Sequence, residues 1–184
     1  STVIASPQEL ANPNVAAMSA YVPGTQPTGT GWIKLNTNEN PFPPSERVGE
    51  AVRAALASPN ALRRYPQPTS APLRAAVARY HGVEPTQVLM GNGCDDVLNL
   101  LIRAFAGPER PLGMLSPSYS LYRTLAAIQG APVIEVPLPK DGHLPVADCL
   151  GSGANLFCLT SPNAPTGVAF APESLEQLAR SFAG

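Results

Sequence analysis

Val88-Leu89-Met90-Gly91-Asn92-Gly93-Cys94-Asp95-Asp96-Val97 is the stretch on which the reading of this chain turns. A short apolar run, read as a strand, passes through a Gly-Asn-Gly turn. It enters a segment whose apolar residues Val97, Leu98, Leu101, Ile102 and Phe105 recur at helical spacing. Strand, glycine turn and helix start in that order make an anion site. The first-turn N–H groups have no partner inside the helix, and the helix dipole favours negative charge there. The same order also serves as a tight connection that holds no ligand. What weighs between the two is the rest of the chain.

Downstream, the pattern repeats. After Gly107-Pro108, Leu112-Gly113-Met114-Leu115 is a buried-strand candidate ending at Ser116-Pro117-Ser118-Tyr119. Leu121, Leu125 and Ile128 mark a helix that stops near Gly130, and Val133-Ile134-Glu135-Val136 is the next strand. Residues 141–153 read as a loop with one helical turn. Leu156-Phe157-Cys158-Leu159 is a further strand, leading to Thr160-Ser161-Pro162-Asn163-Ala164-Pro165-Thr166-Gly167. Leu175, Leu178, Ala179 and Phe182 lie on a last helix that Pro172 opens. Strands that are apolar throughout, alternating with helices, indicate a parallel sheet covered on both faces. Ligands of such sheets sit beyond the carboxyl ends of the strands. The loops at 91–96, 116–119 and 161–167 all follow strand ends, so they are expected to converge on one edge.

Upstream, residues 1–30 are rich in Pro, Gly, Ser, Thr and Asn and read as an arm or extended lead-in suited to lying on another subunit. Ile33-Lys34-Leu35 is a short strand candidate. Asn36-Thr37-Asn38-Glu39-Asn40-Pro41 is most simply a loop with local side-chain hydrogen bonds, and alternatively a substrate-facing one. Val48, Ala51, Val52, Ala55 and Leu56 outline one helix, and Leu73, Ala76, Val77 and Tyr80 a second, closed by Gly82.

Composition narrows the function classes. The 184 residues are 44% hydrophobic and 14% charged, with a net charge of -1, which argues against a basic nucleic-acid or membrane-surface face. No apolar run reaches membrane-spanning length, and the N-terminal stretch has no basic start followed by an apolar core, so a secretory signal is not expected in it. The cysteines Cys94, Cys149 and Cys158 are odd in number and lack metal-type spacing, so a reducing cytoplasm is the expected compartment. Cys94 has no histidine nearby in sequence and reads as a small helix-start residue rather than a nucleophile.

Taken in order, Asn38-Glu39-Asn40-Pro41, Arg64-Tyr65-Pro66, Gly91-Asn92-Gly93-Cys94-Asp95-Asp96, Pro117-Ser118-Tyr119 and Pro162-Asn163-Ala164-Pro165-Thr166-Gly167 resemble the class I/II pyridoxal-phosphate aminotransferases. Within that family they are most similar to the histidinol-phosphate branch. The resemblance runs from about Tyr21 onward and implies an α/β three-layer sandwich with a mainly parallel sheet. It divides the chain into an arm (1–35), part of a small domain with linker (36–65) and the first part of a cofactor-binding large domain (66–184).

The resemblance also implies roles. Gly93, Cys94 and Asp95 match the backbone cup for the phosphate of pyridoxal 5'-phosphate. The carboxylates of Asp95 and Asp96 would repel that dianion, so they are expected to turn away. Tyr119 matches the aromatic stacked on the pyridine ring, beside the plainer reading of a tyrosine packed at a helix start. Tyr65 matches a tyrosine reaching the phosphate of the other subunit, which implies a homodimer with shared sites. Tyr21 and Asn40 match substrate-facing positions. Where the family commonly has a second asparagine bonded to the ring oxygen, this chain has Ala164. Either Asn163 takes that contact or it comes from elsewhere.

The implied activity is amino transfer between histidinol phosphate and 2-oxoglutarate in histidine biosynthesis, with small-molecule substrates and no nucleic acid or membrane partner. It needs a Schiff-base lysine and an Asp that keeps the pyridine nitrogen protonated. The lysines present, Lys34 and Lys140, fit surface positions instead. The expectation is an N-terminal half that does not transaminate alone. Alternatives are a threonine-phosphate decarboxylase of the same family, a non-catalytic cofactor- or phosphate-binding protein, and a nucleotide-binding domain. The last lacks Gly-x-Gly-x-x-Gly spacing.

Overall fold

The computed structural model describes residues 6–19, 27–35, 38–60 and 62–183. By packing, the chain forms two units, Ser1–Met18 with Leu89–Gly184, and Ser19–Val88.

The larger unit is built around β1 (Leu112–Ser116), the middle strand of a parallel sheet ordered β2-β1-β3, with β2 spanning Val133–Pro137 and β3 Leu156–Cys158. Leu112 pairs with Val133 on one side and with Leu156 on the other. Side chains alternate across a strand, and here both faces are covered. Leu112 and Met114 of β1 pack with Val133, Leu156 and Cys158 under α5 (Cys94–Phe105) and α6 (Leu121–Ile128), which supply Ile102, Tyr122, Leu125 and Ala126. Leu115, Val136 and Phe157 face the opposite layer. There α7 (Val146–Leu150) and α8 (Pro172–Ser181) supply Cys149 and Leu178. The result is the expected three-layer α/β arrangement. Gly113 allows β3 to come close: a Cβ built there would stand 2.4 Å from Phe157 Cδ2 and 2.8 Å from Ala154 Cβ. Glu135, on the α6 side of β2, pairs with Arg123 at 2.5 Å, which lowers the carboxyl's pKa.

Within residues 6–19 the lead-in carries two helical turns. Pro7–Leu10 (α1) and Pro13–Ala16 (α2) are single helical turns opened by prolines. Asn14 Nδ2 donates to the carbonyls of Ala127 (3.0 Å) and Ile128 (2.7 Å) at the end of α6. This tether lies within the chain itself.

The smaller unit holds α3 (Glu46–Leu56) and α4 (Ala71–His81). Gly82 closes α4 in the left-handed region at φ 69°. Arg74 Nε donates to the carbonyl of Pro85 at 3.1 Å, tying α4 to the 3-10 turn at Pro85–Gln87. The apolar residues of α3 at Val48, Val52 and Leu56 are exposed.

Two expected strands are absent. Val88-Leu89-Met90 and Ile33-Lys34-Leu35 join no sheet, and Leu89, Ile33 and Leu35 are exposed. An apolar run becomes a strand only where a neighbour accepts its ladder hydrogen bonds, and neither run has one among the described residues. No described helix is long and apolar enough to cross a membrane.

Candidate active site at the carboxyl edge of the sheet

Three loops meet where β1 and β3 end and α5 begins. The α5 N-cap is Gly93 at φ 85°, ψ 176°, and no side chain caps the helix. The first-turn N–H groups therefore lack the acceptor that a Ser, Thr, Asp or Asn cap would supply. The space beside Gly93 is open, with nothing within 4 Å of a Cβ built there. Gly93, Cys94 and Asp95 are all exposed.

Both acidic side chains of the first turn are engaged. Asp96 Oδ2 accepts from the Asn92 N–H at 2.9 Å, folding back onto the glycine turn. Asp95 accepts from the Tyr119 hydroxyl at 3.2 Å to Oδ1 and 3.3 Å to Oδ2. That bond fixes the loop after β1 to the start of α5. Tyr119 is 36% exposed, and its ring packs edge-on against Tyr122 with centroids 5.6 Å apart. Tyr122 is buried, and desolvation pushes its phenol up to about 12.

The second junction lies deeper. Asn163 is 1% exposed and Ser118 is also buried. Ser118 Oγ donates to Asn163 Oδ1 at 2.9 Å. Asn163 Nδ2 donates to the Pro117 carbonyl at 3.0 Å and to Thr166 Oγ1 at 3.1 Å. The amide orientation is fixed by chemistry, because the Pro117 carbonyl can only accept. The Asn163 backbone closes its own turn, its N–H donating to Val168 O and its carbonyl accepting from Gly167 N, both at 2.7 Å. The peptide bonds Ser116-Pro117, Ser161-Pro162 and Ala164-Pro165 are cis.

Of the residues singled out from sequence, Gly93, Cys94, Asp95, Tyr119 and Asn163 are thus brought to one edge. They differ in disposition. Gly93, Cys94, Asp95 and Tyr119 face outward, whereas both amide protons of Asn163 are committed inside the loops, so a ring-oxygen contact would require breaking one of these bonds. Tyr65 and Asn40 belong to the other unit. Tyr65 is fully exposed there, and Asn40 Oδ1 accepts from the Phe42 N–H at 3.0 Å, a local turn. Tyr21 lies outside the described residues. Ser118 and Thr166 carried no functional reading in the sequence, because no spacing signal links side chains 45 positions apart such as Ser118 and Asn163.

A parallel sheet whose exit loops meet a glycine-opened helix start is an arrangement of the class I and II aminotransferases. The chain belongs to that family, whose model, "Aminotransferase class I and II", matches residues 30–183. Among individual proteins, the chain is 49% identical over 174 residues to histidinol-phosphate aminotransferase of Geobacter sulfurreducens, covering 93% of this chain and 49% of that protein. It spans about half the length of the curated relatives it matches. The solved histidinol-phosphate aminotransferase of Sinorhizobium meliloti in complex with pyridoxal-5'-phosphate superposes with a TM-score of 0.71 at 25% identity, over 79% of this chain and 39% of that one. An aspartate aminotransferase tetra mutant of Thermus thermophilus superposes with a TM-score of 0.76 at 27% identity, over 92% and 47%.

Proposed function

We propose that the full-length protein is a pyridoxal-phosphate-dependent aminotransferase acting on histidinol phosphate, in the cytoplasm and as a homodimer. The observation that carries the reading is the joining of three loops at the carboxyl edge of the sheet, through Tyr119 to Asp95 and Ser118 to Asn163. The residues present fit a phosphorylated ring. The uncapped start of α5 and the open space beside Gly93 suit a phosphate, and the nearest carboxylates are held by the Tyr119 hydroxyl and the Asn92 N–H.

In this reading the backbone N–H groups of Gly93, Cys94 and Asp95 hold the phosphate, and Tyr119 lies against the ring. Tyr65 reaches the phosphate held by the other subunit, and Tyr21 and Asn40 face the substrate. Residues 1–35 are the arm, 36–65 part of the small domain, and 66–184 the first part of the large domain. Bound, the cofactor supplies the electron sink for bond breaking at the substrate's amino-bearing carbon. Lys34 is paired with Glu39 at 2.5 Å and Lys140 is exposed in the turn after β2, so the reading assigns the Schiff-base lysine to neither.

The test uses the full-length protein with glutamate or histidinol phosphate as amino donor. Expected are a visible absorbance band that borohydride converts to a near-ultraviolet one retained through dialysis, and release of 2-oxoglutarate from glutamate as histidinol phosphate forms, with consumption of 2-oxoglutarate when histidinol phosphate is the donor. A band lost on dialysis after borohydride would indicate a binding protein. Carbon dioxide release from threonine phosphate, without amino transfer, would indicate a decarboxylase.

A further inference from the structure

We infer that Asn163 is a positioning residue, one that fastens the loops after β1 and β3 beneath the cofactor ring rather than contacting the ring. The inference rests on the proposed function and deepens it. Every polar atom of the Asn163 side chain has a partner within the loops: Ser118 Oγ on Oδ1, and Pro117 O and Thr166 Oγ1 on Nδ2. At 1% exposure, no face of the amide is open to a ligand.

The loops it joins bracket Tyr119. Ser118 is its chain neighbour, and Pro117 lies one residue further back. Tyr119 is held at its other end by Asp95. The ring is thereby fixed from two sides, by an exposed hydroxyl bond to α5 and by a buried bond, one residue away, to the loop after β3. Pre-organisation of this kind governs how much ordering a ligand must impose on binding. Ala164 is consistent with the assignment: the position that commonly supplies the ring-oxygen contact carries no polar group, and its neighbour is not free to replace it.

The test is a double-mutant cycle in the full-length protein, read by pyridoxal phosphate affinity and by the circular dichroism of the bound cofactor's visible band. Ser118→Ala removes a single oxygen. Asn163→Asp keeps the acceptor for Ser118 and loses both donors, and is close in shape should Asn163→Ala fail to fold. Each single variant is expected to weaken cofactor binding on the order of ten-fold, the scale of one buried hydrogen bond. The Ser118→Ala/Asn163→Ala double variant is expected to be no weaker than Asn163→Ala alone, and all should reduce the dichroic band alike. Three results would overturn the assignment: additive losses, unchanged binding by Ser118→Ala, or a displaced absorbance maximum in Asn163→Asp that Ser118→Ala does not share. The last would mean direct ring contact. Absence of binding by the parent protein would instead overturn the proposed function, and this inference with it.

Discussion

Replacing Gly93 separates backbone chirality from packing. Gly93 stands at φ 85°, ψ 176°, a region essentially restricted to glycine, where an L side chain costs on the order of 1–3 kcal/mol. A Cβ at this position meets nothing within 4 Å, so neither a clash nor a new contact alters that cost. Gly93→Ala should therefore lower the unfolding free energy by about 1–3 kcal/mol without changing the denaturant slope. D-alanine at the same position adopts the mirror image of the ordinary extended region and should unfold within about 0.5 kcal/mol of the parent. Cys94 follows directly, so position 93 is a ligation junction at which either enantiomer can be introduced. Urea unfolding of the two products against the parent is the assay. Equal losses for both enantiomers, or no loss for the L form, would refute the argument that this loop is held in a conformation closed to L residues.

Gly113→Ala should cost about 1–3 kcal/mol by overpacking against Phe157 and Ala154, and pairing it with Phe157→Leu should recover part of the loss in urea midpoint. Asn14→Ala removes the two hydrogen bonds that tie α2 to the end of α6, at an exposed position, and should cost about 0.5–1.5 kcal/mol in thermal unfolding. An unchanged melting temperature would mean that the tether contributes nothing. Burial holds the thiols of Cys149 and Cys158 up to about 11 against an ordinary 9.0, and the Tyr122 phenol up to about 12 against 10.0. Below the ordinary values both states keep these protons. Above them the unfolded chain ionises first, so stability should fall progressively between 9.0 and about 12. A urea midpoint that stays flat across that window would contradict the burial of these groups.

The layers were legible because an apolar strand covered on both faces writes its burial into every residue: Leu112, Met114 and Leu115 are all fully buried. The convergence of loops was legible for a related reason, since a parallel sheet sends its exit loops to one edge. Strand pairing was not. Val88-Leu89-Met90 has the composition of a strand, yet composition says nothing about who accepts its hydrogen bonds. Local turns in the lead-in were not legible either: a stretch rich in Pro, Gly, Ser, Thr and Asn reads as an arm or extended segment, and only the structure shows that Pro7 and Pro13 open helical turns in it. Asn163 shows the limit at the site itself. Its motif left open whether it takes the ring-oxygen contact, and no spacing signal tells that its protons go to Pro117, 46 positions earlier, and to Thr166, 3 positions later.

The strand order explains why the loop after β1 is the one that can be held from both sides. β1 lies between β2 and β3, and the α5–α6 layer covers the face that carries Leu112 and Met114. Its exit loop therefore has the start of α5 within reach of Tyr119 and the loop after β3 within reach of Ser118. The loop after β2, on an outer strand, closes on itself instead: Gly142 N–H donates to Pro139 O at 2.9 Å, and His143 Nδ1 pairs with Asp141 at 2.6 Å, an exposed bond that holds the aspartate carboxyl below its usual pKa. A residue that must present a ring at a fixed angle gains most from the doubly held position, and Tyr119 occupies it. If the aromatic were instead needed only for packing, the Tyr122 contact alone would suffice, and neither the Asp95 bond nor the buried Ser118–Asn163 pair would have a reason to meet at its two ends.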